Sequence, residues 1–162
     1  MNNPESQPNE QTRWDNYLVL FLRIIGGFAL LAFLAAVMPT NWIIATAEEL
    51  GFDPFPNSPL TFYLARNLSL LYGFVGAFLM IVASDVPHYR GLIHFAALGT
   101  ILFGFLQLVV DSMSGLPNWW TLGESLSTLS GGVVLFWIQH RATSLAASDS
   151  QSDLNSQSDP ND

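Results

Sequence analysis

Three charged residues of this chain fall at one depth of otherwise apolar sequence. Arg66, Asp111 and Glu124 each lie near the end of a different hydrophobic stretch. A charge in hydrocarbon costs about 2.5 to 3.5 kcal/mol even on the lenient insertion scale, so opposite charges at matched depth point to a pairing cluster. Two carboxylates around one guanidinium can act as a structural ion pair that fixes helix register. They can equally form the polar floor of a pocket that takes a quinone or a lipid headgroup. In a third reading Arg66 snorkels alone to the headgroups and the carboxylates are loop-end residues. Gln107, Asn67 and Ser69 are the polar neighbours of this group. Asn67-Leu68-Ser69 has the spacing of a glycosylation acceptor, but it falls inside an apolar stretch.

A second, smaller group gathers Arg23, Asp85 and His94 at the opposite depth, where Arg23 could pair with Asp85 or reach lipid phosphate. His94 and His140 are the pair of imidazoles that a haem held between two helices would need, at depths only roughly alike. Glu48, Glu49 and Asp53 read as a solvated loop face rather than a cation site. The chain has no cysteine, so it has no disulfide, thiol nucleophile or zinc-thiolate centre. No metal-binding motif, phosphate-binding loop, dinucleotide fingerprint or hydrolase elbow occurs. The sequence therefore names no catalytic residue and no cofactor.

The elements that must position these residues are membrane helices. Of the 162 residues 50% are hydrophobic and 11% charged. A net charge of -8 with no lysine leaves no basic face for nucleic acid. Four apolar stretches, about 17–38, 60–84, 91–110 and 122–139, are each long enough to cross most or all of a roughly 30 Å hydrocarbon core. They predict an all-α, polytopic four-helix bundle over 13–142. Polar tails, 1–12 and 143–162, are expected to be disordered. The first stretch reads as a retained span, because it is longer than a signal-peptide core and carries Arg23.

Small and polar stripes should bring the spans together: Arg66, Ser69, Gly73 and Ala77 on the second, Asp111, Gln107, Gly104, Thr100 and Ala97 on the third, and Glu124, Ser127 or Thr128, and Gly131 on the fourth. The loop after the first span predicts a short interfacial helix lying flat in the outer headgroup layer, started at Pro39-Thr40-Asn41 and stopped at Gly51, with Trp42, Ile43, Ala47 and Leu50 on one side and Glu48 and Glu49 toward the other. Arg13, Arg23, Arg90 and Arg141 fall on one side of this topology. By the positive-inside rule that side, with both termini, is cytoplasmic. Trp14, Tyr17, Tyr89 and Trp137 would then mark the inner interface, and Trp42, Tyr63, Trp119 and Trp120 the outer one.

Leu22-Arg23-Ile24-Ile25-Gly26-Gly27-Phe28 in the first span, with Ala65-Arg66 and Leu71-Tyr72-Gly73 in the second, resembles the DoxX-like small bacterial four-helix membrane proteins. The resemblance implies a bacterial inner-membrane protein. It also implies an accessory subunit of a membrane oxidoreductase or a quinone-proximal protein. Taken together, these residues predict a non-catalytic membrane protein that binds a lipid, a quinone-like molecule or a partner subunit through the Arg66, Asp111 and Glu124 cluster. A membrane enzyme or redox-complex subunit using the same cluster, a small transporter and a purely structural subunit are the alternatives.

Overall fold

In a computed structural model the described residues are 10–52, 54–115 and 117–157, with side chains as far as residue 146, and they form helices and short turns with no strand among them. In chain order these are α1 (Glu10–Leu30), α2 (Ala32–Ala36), α3 (Thr40–Glu49), α4 (Pro59–Val82), α5 (Arg90–Met113) and α6 (Asn118–Gln157). Three stretches are long and apolar enough to cross a membrane: Glu10–Ala36, Pro59–Val82 and Arg90–Met113. Their large apolar side chains point outward, with Phe28, Phe74 and Phe95 at 71%, 66% and 74% exposure. Such helices suit a lipid surrounding, where apolar surface needs no cover.

The fourth expected span, 122–139, lies within α6 but falls short of the apolarity of the other three. Glu124, four hydroxyl residues at 125, 127, 128 and 130, and Gly131-Gly132 dilute its aliphatic residues. The helix also runs through much of the expected tail to Gln157, because neither glycine nor proline interrupts 133–157. Of the expected N-terminal tail, 10–12 open α1, while 1–9 lie outside the described residues, as do 158–162, Asp53 and Leu116.

The helix limits follow from local chemistry. Ser58 caps α4, its Oγ accepting from the Thr61 N–H at 3.2 Å, and Pro59 supplies the first turn with a residue that has no amide hydrogen to satisfy. The short helix expected in the first loop is α3. It closes as a Schellman turn: Phe52 N–H donates to Ala47 C=O at 3.0 Å, and Gly51 N–H donates to Glu48 C=O at 2.9 Å. Gly51 takes φ +86°, which a side chain would resist. No residue of α3 is buried, and Trp42 is 64% exposed.

The chain divides into two compact units, Leu22–Ser84 and the sequence that flanks it, up to Phe21 and from Asp85 onward. In the central unit the later part of α1, with α2, packs on α4. A carbon added at Gly76 would stand 2.6 Å from Leu30 N and 2.7 Å from Gly26 O, so the two backbones touch there. One turn away Gly73 makes room for the Phe33 ring, which also meets Phe74 edge-on at 5.3 Å. The residue at the crossing is Gly76, where the sequence stripe expected Ala77; Ala77 is only half-buried.

In the flanking unit α5 and α6 run antiparallel along each other. Ala97, Gly104 and Asp111 on α5 and Ser125, Gly132 and Gln139 on α6 are buried at seven-residue intervals, the repeat of a coiled-coil seam. The contact is reciprocal: Gly104 receives Leu129, and Gly132 receives Ile101. The α5 face is the stripe read from the sequence. The α6 face is not, since Ser125 and Gly132 face α5 while Ser127 is exposed and Gly131 has nothing within 4 Å of an added carbon.

Candidate functional site

At about 1.5 Å rise per residue, Arg90 and Asp111 stand roughly 30 Å apart along α5, which matches the thickness of a hydrocarbon core. α5 therefore holds one charged residue at each end of its seam with α6, and the two ends are built differently.

At the Asp111 end the carboxylate is 8% exposed and accepts a hydrogen bond from Ser125 Oγ at 3.3 Å across the seam. Ser125 is fully buried, so this contact is sealed from solvent. One turn below, Gln107 Oε1 is buried with no hydrogen-bond partner among the described residues. Thr121, also buried, sits one turn before Ser125 on the same face of α6. Gly115, at φ +68°, ends α5 just beyond Asp111, and α6 begins at Asn118. Glu124 is the next residue to Ser125, so its side chain turns away from the seam by the 100° step of a helix. It lines a groove of about 380 Å³ with Trp119, Trp120, Gly123 and Ser127. The two indoles pack edge to face at 5.6 Å. Among the described residues the Glu124 carboxylate has no hydrogen bond or ion pair. Its main-chain oxygen accepts from Ser127 Oγ and Thr128 Oγ1 at 2.8 and 3.0 Å.

The Arg90 end carries an ion pair that sequence reasoning missed. Arg90 Nη2 donates to both carboxylate oxygens of Asp15, at 2.7 and 2.9 Å, with the two side chains about one-fifth exposed. Gln139, 3% exposed, donates from Nε2 to the Arg90 C=O at 3.1 Å and ties α6 to the first turn of α5. Trp14 meets Trp137 edge-on at 5.2 Å, and the Arg141 guanidinium lies 5.9 Å from the Trp137 ring centroid. The signal was positional. Asp15 lies three residues before the buried Leu18 on α1, and Arg90 three before the buried Ile93 on α5, so both charges continue apolar stripes.

Arg66 belongs to the central unit, where Nη2 donates to Met38 C=O at 3.3 Å and Thr40 Oγ1 at 3.2 Å. It thereby clamps the turn between α2 and α3 and sets positive charge against the Met38 carbonyl just past the end of α2. Asp111 and Glu124 belong to the flanking unit, with the surroundings described above. Asn67 and Ser69 bond to their own helix, through Tyr63 C=O and Ala65 C=O, both at 2.9 Å.

Of the second expected group, Asp85 Oδ1 accepts from the His88 N–H at 3.2 Å and shapes the turn before α5. Arg23 is exposed on α1 and His94 exposed on α5. The rings of His94 and His140 both lie against Phe136, at 5.4 and 6.2 Å between centroids. Gly26 and Gly73, in the two motifs that carry the DoxX-like resemblance, are packing positions, and Arg66 is the clamp on the α2–α3 turn.

In comparison with known proteins, no family model matches this chain, no curated protein matches its sequence, and no solved structure matches its fold.

Proposed function

We propose that this is a small, non-catalytic integral membrane protein of four crossings that holds a membrane-resident molecule at the Asp111 end of the α5–α6 pair. The fourth crossing is α6. Its hydroxyls and glycines lower its apolarity, but Thr121, Ser125 and Gly132 spend that polarity and smallness inside the seam with α5. Ser127 and Ser130, on the outer face, donate to their own helix at Glu124 C=O and Ser127 C=O. Small and hydroxyl residues used in this way are ordinary in membrane helix pairs. A partner that follows α5 from Asp111 to Arg90 crosses wherever α5 crosses.

On this reading both termini are cytoplasmic by the arginine distribution, the membrane is a bacterial inner membrane, and α3 lies in the outer headgroup layer with Trp42 outward. The observation that carries the binding role is the contrast between two adjacent carboxylates. Asp111 is turned inward onto Ser125, while Glu124 opens beside two indoles into a groove at membrane-boundary depth.

The test is mass spectrometry of the gently extracted full chain and of the Trp119→Ala variant. A lipid or quinone retained by the parent protein in fixed ratio and lost from the variant is the expected result. Recovery of nothing beyond bulk lipid from either protein would remove the binding role.

A further inference from the structure

The groove has a chemistry more specific than its depth. Trp119, Trp120, Gly123, Glu124 and Ser127 line it, and all lie on the first turns of α6. Indole faces carry negative electrostatic potential and attract ammonium groups. The Glu124 carboxylate adds a formal negative charge that no described residue neutralises, and it can accept a hydrogen bond from an N–H donor. The Ser127 hydroxyl is committed to Glu124 C=O, so it offers the groove its oxygen rather than a donor. The lining therefore favours cations over anions. Gly123 keeps the groove open, since an added carbon there would meet nothing within 4 Å. Farther along α6 on the same side, Gly131 is likewise open and Val134 is 40% exposed, which leaves a shallow apolar track for an acyl chain.

We infer that this groove seats the primary ammonium of a phospholipid headgroup of the ethanolamine type, with Glu124 accepting its N–H hydrogen bond and the indoles of Trp119 and Trp120 facing its charge. The inference rests on the reading that the Asp111 end of the α5–α6 pair binds a membrane molecule, and it specifies which. An anionic glycerol headgroup would meet Glu124 as a like charge and would be disfavoured.

The experiment is a lipid titration of the detergent-solubilised full chain, read by native mass spectrometry with phosphatidylethanolamine and phosphatidylglycerol in parallel. The parent protein is expected to hold phosphatidylethanolamine about tenfold more tightly, a difference of about 1.4 kcal/mol. That preference should vanish in Glu124→Gln, which removes the charge, and in Gly123→Leu, which fills the groove from an unobstructed position. Helical circular dichroism checks that each variant is folded, and either variant alone suffices for the test. Equal binding of the two lipids by the parent protein, or a preference that survives in a folded variant, would overturn the inference. Binding of phosphatidylglycerol or a quinone without any ethanolamine preference would sink it while leaving the broader binding role standing. Failure to retain any lipid or quinone would take both down.

Discussion

This protein joins its helices in two ways. In the central unit α1 and α4 meet backbone on backbone at Gly26 and Gly76, and the seam is held by fit. In the flanking unit α5 and α6 also use glycines, Gly104 and Gly132, but polar contacts close both ends: Asp111 with Ser125 at one and the Arg90 C=O with Gln139 at the other, where the Arg90 side chain also pairs with Asp15 of α1. Where apolar surroundings supply no hydrophobic drive, close packing and hydrogen bonds are the two forces left to hold helices. The central unit relies on the first, and the flanking unit combines them.

That comparison can be broken most severely at Gly76. Gly76→Leu sets a side chain against main-chain atoms that cannot yield, and a loss of about 3 kcal/mol or more is expected in a denaturant titration of the detergent-solubilised protein. The same measurement on Gly131→Ala should stay within about 0.5 kcal/mol, because that position is open. A large effect at Gly131 would mean that α6 meets another helix on its outer face.

The polar ends should respond differently from the glycines. Arg90→Leu leaves the Asp15 carboxylate partly buried without its partner, with an expected cost of about 2 kcal/mol. Changing Asp15→Leu as well should recover much of that, which no second substitution would do at Gly76. Thermal unfolding of the two single variants and the double variant forms the cycle that checks this. Full additivity would show that the pair is not coupled. Among the polar contacts the smallest effect belongs to Ser125→Ala, where one hydrogen bond of 3.3 Å is lost and about 1 kcal/mol is expected.

The stripe Ala97, Thr100, Gly104, Gln107 and Asp111 could be read directly from sequence, because α5 is aliphatic or aromatic on most other sides and its small and polar residues stand out. The α6 stripe could not, since Ser, Thr and Gly occupy several of its faces and periodicity alone does not choose between Ser127 with Gly131 and Ser125 with Gly132. Gly76 was displaced by its neighbour Ala77 for the same reason: both are small, and only the approach of Gly26 distinguishes them. Gly51 was legible as a helix stop because a single glycine after an amphipathic turn has few other uses. The Asp15–Arg90 pair escaped because each residue lies outside the apolar runs, where charges are ordinarily solvated. Arg66 was legible as a residue needing a partner, but the partner found in its unit is main chain and hydroxyl, Met38 C=O and Thr40 Oγ1, which no charge pattern could indicate.

A binding site at the Asp111 end requires α6 to cross the membrane beside α5 despite its lower apolarity. The chain has no cysteine, so single cysteines introduced as Ser114→Cys and Ser144→Cys can be labelled without background. In sealed membrane vesicles treated with a membrane-impermeant maleimide, the two positions are expected to react from opposite sides, residue 144 from the cytoplasmic side and residue 114 from the other. Labelling of both from the same side would contradict the fourth crossing.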